Sequence, residues 1–319
     1  MTTRIWAAAL ALLLAGGCAF GPRPAPKEPD KAREKAIRGA VHFENGRLDR
    51  AERDFKKAIW LDQAEDRLAS LSRDYNNLAA LALRQGDYGR ALEYLARAAG
   101  IHRQAGEKAG LARSLAAMAA VEDLAGRPDE AARLIEEALG LVPEAGGARL
   151  YVLNVKGWHL LEAGDLAAAE APLQEAIEIG GSVAGADSRL LAATRHHLGR
   201  CLLERGDLKA ARGLLEDALE LDRQGKYPAG IASDLDQLAA LEATEGRLDE
   251  ACALYERAFN LYVYLKDVRR ARALLARLER HNLEARLGLE VLRLREALAR
   301  VEEASARAGY SLGSTSTTQ

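Results

Sequence analysis

From about Lys31 to Leu265 the apolar positions recur at helical spacing, and that spacing predicts a chain of short amphipathic helices. The pattern is itself periodic. Gly46, Gly86, Gly126, Gly164, Gly206 and Gly246 follow one another at a nearly constant interval. Around each of them the same side-chain sizes return. Seven residues before the glycine is always Gly or Ala: Gly39, Ala79, Ala119, Gly157, Gly199 and Ala239. Five after it is Ala51, Ala91, Ala131, Ala169, Ala211 or Ala251, and twelve after it Ala58, Ala98, Ala138, Ala176, Ala218 or Ala258. Nine after it is a large apolar residue: Phe55, Leu95, Ile135, Leu173, Leu215 and Tyr255.

These spacings describe a helix hairpin. The glycine ends a first helix in a left-handed cap, and a second helix starts almost at once. Asp87, Asp165 and Asp207 are placed to cap the second helix, and Pro128 falls in a first turn, where a missing N–H costs nothing. The small residues let the two helices approach, and the large residue fills the space where they diverge. A period of about 40 residues marks a solenoid, in which one hairpin buries its apolar face only against its neighbours.

The small–Gly–Ala–large–Ala spacing resembles the tetratricopeptide repeat (TPR). The resemblance covers residues 31–265 and implies an all-α fold, a right-handed superhelix (α-solenoid) of six helix-turn-helix repeats. The common repeat is shorter, at about 34 residues. The extra length is expected between hairpins, as longer helices or as loops such as Gly180 to Asp187. Residues 266–308 continue as a seventh first helix and a long Arg-, Glu- and Leu-rich helix that would cap the stack or pair with another subunit.

Composition moves the picture only at the ends. The 45 basic and 47 acidic residues nearly cancel, so no overall field favours nucleic acid. At the start, "MTTRIWAAALALLLAGGCAF" carries Arg4, an uncharged run from Ile5 to Gly17, and then Cys18. The run is too short to span a bilayer and ends in small residues, as a cleaved signal does. Leu14-Ala15-Gly16-Gly17-Cys18 resembles the lipobox of bacterial lipoproteins. That resemblance implies removal of residues 1–17, lipidation of Cys18, and, with Ala19 rather than Asp next, a periplasm-facing protein anchored in the outer membrane. Residues 18–30, with four prolines, read as an extended tether, and residues 309–319 as a disordered tail. Cys201 and Cys252, inside helical patterns, read as buried thiols.

No catalytic constellation stands out. The sequence has no nucleotide-binding glycine loop, no HExxH pair and no serine elbow, so it predicts neither an enzyme nor a cofactor. His197 and Cys201 share a helix face but supply two ligands where zinc needs three or four. What remains is surface. In TPR proteins the first helices line a concave groove that holds a partner peptide. Transferring those groove offsets places Arg33, Arg73, Arg113 and Tyr151 thirteen residues before each glycine, and Asn76, Asn154 and His196 ten before. Asn77 follows at nine before, with Trp158 and Arg200 at six before. Such a strip would pair arginines with carboxylates, hold a backbone with Asn, and anchor apolar groups on Tyr151 and Trp158. The expected function is an envelope scaffold or adaptor for a protein partner, in pilus, secretion or outer-membrane complex assembly. A docking scaffold for cell-wall enzymes and a peptide-sensing regulator are the alternatives.

Overall fold

A computed structural model describes residues 30–183, 185–280 and 289–307. Within them are fourteen helices and no strand. In chain order they are α1 (Lys31–Glu44), α2 (Leu48–Ala64), α3 (Leu68–Arg84), α4 (Tyr88–Ala105), α5 (Lys108–Leu124), α6 (Pro128–Leu141) and α7 (Gly147–Ala163). There follow α8 (Leu166–Ser182), α9 (Ser188–Arg205), α10 (Leu208–Gly225), α11 (Pro228–Thr244), α12 (Leu248–Tyr264), α13 (Val268–Arg280) and α14 (Leu289–Arg307). Signal, lipobox Cys18 and most of the tether lie outside the described residues, as does the 309–319 tail.

The repeated glycine does what the spacing requires. All six have positive φ, from 68° at Gly46 to 92° at Gly206, the left-handed region where a side chain is strained. The next helix is capped as expected, the Oδ1 atoms of Asp87, Asp165 and Asp207 accepting from Arg90, Ala168 and Ala210 N–H at 3.0, 3.0 and 3.1 Å. Between hairpins the chain uses nearly the same turn without insisting on glycine. Asp66, Gly106, Lys226 and Lys266 have φ of 52°, 70°, 56° and 57°. The added length therefore sits mainly in the helices, most of which have about five turns. Among the described residues, longer loops join α6 to α7 and α8 to α9.

The described helices fall into two compact units, one running to Leu198 and the other starting at Gly199, within α9. In the first unit each hairpin packs on the next through the residues the pattern marks. Ala51, Ala91, Ala131 and Ala169 are fully buried, as are Ala58, Ala98, Ala138 and Ala176. In the second, Tyr255, Phe259 and Tyr262 of α12 pack with Leu274 and Leu278 of α13 and with Leu294 and Leu298 of α14. Arg272 donates to Glu302 at 2.6 Å, tying α13 to α14. Cys201 and Cys252 are both buried. Among the described residues no helix is long and apolar enough to cross a membrane.

The small residue does more than permit approach. A Cβ built on Gly39 would lie 2.6 Å from the Phe55 ring, on Gly157 2.3 Å from Leu173 and on Gly199 2.8 Å from Leu215. Position minus seven thus lies against position plus nine of its own hairpin. The large side chain occupies the crossing itself and not the splayed end.

Candidate functional site

The first helices of successive hairpins place the expected strip residues at one register, but their depth changes along the first unit. On α1, Arg33 and Ile37 stand one turn apart in solvent, Ile37 56% exposed. On α3, Arg73 is exposed and Asn76 and Asn77 are half-buried, the Asn77 amide donating to Asp74 Oδ1 at 3.4 Å. On α5, Arg113 is half-buried, and its charge is felt by the Tyr151 phenol. Among the described residues none of Arg33, Arg73 and Arg113 makes a salt bridge, whereas Arg38, Arg67, Arg90 and Arg127 all do.

Further along, the strip closes, which corrects the expected roles of three residues. Tyr151 is 2% exposed, and Asn154 and Trp158 are not exposed at all. Asn154 Nδ2 donates to Thr194 Oγ1 at 2.6 Å, and the Thr194 hydroxyl donates to the Leu190 carbonyl at 2.8 Å, so this amide joins α7 to α9. Burial pushes the Tyr151 phenol far above its ordinary pKa. None of the three reaches the surface to read a partner. His196 is half-buried, with its ring edge-on to that of His197 at 5.7 Å. In the second unit, Arg200 is buried against Glu204, with Nε donating at 2.9 Å. Among the described residues no group of three His, Cys, Asp or Glu is placed to hold a metal.

Two polar features were not visible in the periodic pattern. The first is a pair of carboxylates, Asp62 of α2 and Asp74 of α3, both buried and close enough to act on each other's charge. Burial, and then the Asp62 charge, push the Asp74 carboxyl up to about 7. Burial likewise raises Asp62, against the pull of Arg67, whose Nε lies 2.9 Å from Asp62 Oδ1. Arg67 also reaches Asp30 at 2.7 Å and Glu65 at 3.5 Å. The second is His159 of α7, whose Nδ1 lies 2.8 and 2.9 Å from the two carboxylate oxygens of Asp123 on α5. Its one sequence signal is position. His159 stands five before its glycine, where Leu81, Val121 and Leu241 are apolar and buried.

The tetratricopeptide-repeat family model matches residues 68–144 and 148–224. No protein of curated function matches the chain by sequence. Among solved structures the chain is similar to NprR in complex with its cognate peptide NprX, at 16% identity and a TM-score of 0.57, over 91% of this chain and 85% of that one. It is similar to a Rap protein complexed with Competence and Sporulation Factor at 15% identity and a TM-score of 0.54, over 88% of this chain and 96% of that one. It is also similar to the APC/C hetero-tetramer Cut9-Hcn1, at 16% identity and a TM-score of 0.56, over 74% of this chain. There the chain spans 41% of that relative's length. Identities this low show the fold alone. The chain therefore has the all-α fold of a tetratricopeptide-repeat array, with the repeat itself identified over residues 68–144 and 148–224.

Proposed function

We propose that the protein is a lipid-anchored interaction scaffold of the bacterial cell envelope, taking a segment of a partner protein on the open part of its first-helix face. The observation that carries this reading is the register of Arg33, Arg73 and Arg113, which make no salt bridge among the described residues, beside Asn77 and the exposed Ile37. Unpaired guanidinium groups in register suit carboxylates on an extended or helical segment. Ile37 offers that segment an apolar contact, and the Asn77 amide a backbone one. The anchor rests on Cys18 in its lipobox-like setting, and implies the outer membrane with the body in the periplasm. Assembly of a pilus, secretion or outer-membrane complex is our first specific reading, and docking of cell-wall enzymes the second.

A peptide-sensing role is the alternative from another class. It is favoured by the likeness to NprR with its cognate peptide and to a Rap protein with Competence and Sporulation Factor, matched over 85% and 96% of their own lengths. A photo-crosslinking residue at position 77 tests the common ground. In cells it is expected to trap a discrete envelope protein. Arg73→Glu with Arg113→Glu should abolish that adduct while leaving helicity intact. An unchanged adduct in the double variant removes the strip from consideration, and a short peptide as the trapped species selects the sensor.

A further inference from the structure

The second helices of the six repeats can be compared at the four positions four, seven, eleven and fourteen residues after the repeat glycine. Spaced by three, four and three, these positions share one helix face. In α2 they are Arg50, Arg53, Lys57 and Trp60, and all four are exposed. Their charge is three cations and no acid, hence +3. In the third repeat Glu130, Arg133 and Glu137 sum to −1, and in the fifth Asp217 and Glu220 sum to −2. The aromatic is also peculiar to the first copy. Where α2 has Trp60, the other repeats have Gly100, Gly140, Glu178, Glu220 and Asn260. Packing does not call for an indole there, since it is 57% exposed, yet it sits under the Lys57 ammonium at 3.7 Å from the ring centroid.

We infer that the Arg50–Arg53–Lys57–Trp60 face of α2 is a docking surface for an anionic phospholipid bilayer. Arginine and lysine gain from the negative potential of such a surface, about 1 kcal/mol for each one near it. Tryptophan prefers the headgroup boundary, where its apolar ring and polar N–H are both satisfied. Two of the neighbouring carboxylates are engaged elsewhere, and the exposed Asp49 leaves the face with a net positive charge. Glu52 is engaged by Lys56 at 2.8 Å and Arg90 at 2.7 Å, and Asp54 by Arg38 at 2.5 Å. Among the described residues no carboxylate pairs with Arg50, Arg53 or Lys57. The length of chain before α1 agrees with this occupant. Only twelve residues separate Cys18 from Lys31, a reach of about 45 Å when fully extended, so an acyl anchor at Cys18 would hold the first repeat within that distance of the bilayer. This last step rests on the lipoprotein reading, while the charge and aromatic pattern stand without it.

The test uses residues 18–319 carrying Cys18→Ser, so that neither the apolar run Ile5–Gly17 nor an acyl group contributes, and sedimentation with phosphatidylcholine vesicles made with or without phosphatidylglycerol. The protein is expected to prefer the vesicles containing phosphatidylglycerol, and to lose that preference at high salt. Replacing Arg50, Arg53 and Lys57 by Gln should weaken partitioning on the order of a hundredfold, the product of three such charges. Trp60→Ala should weaken it with all cations in place. Removing three exposed cations elsewhere, at Arg103, Lys209 and Arg257, is the control for net charge and should leave binding near that of the parent. Equal loss in the control, or no loss in the stripe variant, overturns the inference. So does indifference to phosphatidylglycerol, which would assign the face to a different polyanion. Lipid labelling of the unsubstituted chain is read separately. Failure of labelling with stripe-dependent vesicle binding removes the anchor alone, and labelling with stripe-independent binding removes the docking face alone.

Discussion

At the scale of single residues, the group that most departs from its ordinary behaviour is Asp74. Its carboxyl is buried beside that of Asp62, with Arg67, Asp30 and Glu65 grouped at the neighbouring turn, and Arg73 and Asn77 on its own helix. A carboxyl raised to about 7 keeps its proton in the folded chain at pH values where the unfolded chain has released it. The stability it lends is complete below about pH 4 and is lost as pH rises through about 7. Asp54 works in the opposite direction. The Arg38 guanidinium holds it below the usual carboxylate range, so its contribution is present at neutral pH and lost on acidification. Asp74→Asn removes the first effect and leaves the second. Between about pH 4 and pH 7.5 the parent should lose stability relative to Asp74→Asn by about 2–4 kcal/mol. Thermal unfolding of both proteins across that range measures it, and parallel curves would mean that Asp74 is ionised throughout. Nothing in the sequence announced this pair. The packing of α2 on α3 puts both inside.

At the scale of helices, the contact between the two arms of a hairpin is a match of size against size, and it has a sharp consequence. Gly157 of α7 faces Leu173 of α8 with no room for a Cβ, because the near atom is Leu173 Cγ and not the tip of a flexible chain. Gly157→Ala gains about 1 kcal/mol of helix propensity but drives the helices apart, and a net loss of about 1–2 kcal/mol is expected in urea unfolding. Gly213 of α10 has nothing within 4 Å of a built Cβ, so Gly213→Ala should instead gain about 0.5–1 kcal/mol. The same chemical change thus carries opposite signs at two helix positions. Equal effects would show that the hairpin contact yields freely. The recurrence of small and large positions was legible in sequence because it repeats six times, and so were the positive-φ glycines and the Asp caps, but the large residue was expected where the helices diverge and not against the small residue at the crossing. Depth was not legible. Offsets from the repeat glycine place Tyr151, Asn154 and Trp158 on the strip, but the bond from Asn154 to Thr194, one full repeat away, shows α9 closing over α7 there. Periodicity reports the direction in which a side chain points, and not what the next repeat lays over it.

At the scale of the whole molecule, function depends on what the repeats leave unspecified. Positions common to all six copies make the scaffold, and the proposed binding surfaces use residues that differ between copies. In the first two repeats these are the unpaired Arg33 and Arg73 on the first-helix face and the basic, aromatic face of α2 on a second helix. Both features are concentrated in the part of the array nearest Cys18 in sequence, as expected if the anchor and the partner surface work together. The proposed anchor therefore sets where the rest can act. Cys18→Ala removes the only thiol in the lipobox-like segment and should abolish incorporation of labelled palmitate. The chain should then move from the membrane fraction to the soluble one, or remain as an uncleaved precursor, since each buried methylene of an acyl chain contributes about 0.8 kcal/mol and α2 alone offers only a salt-sensitive attraction. Fractionation at low and at high salt separates the two contributions. Retention of Cys18→Ala at low salt with release at high salt assigns the residual binding to the cationic face. Unchanged palmitate labelling in this variant would show that the lipid, if any, is carried elsewhere, and would remove the lipoprotein reading.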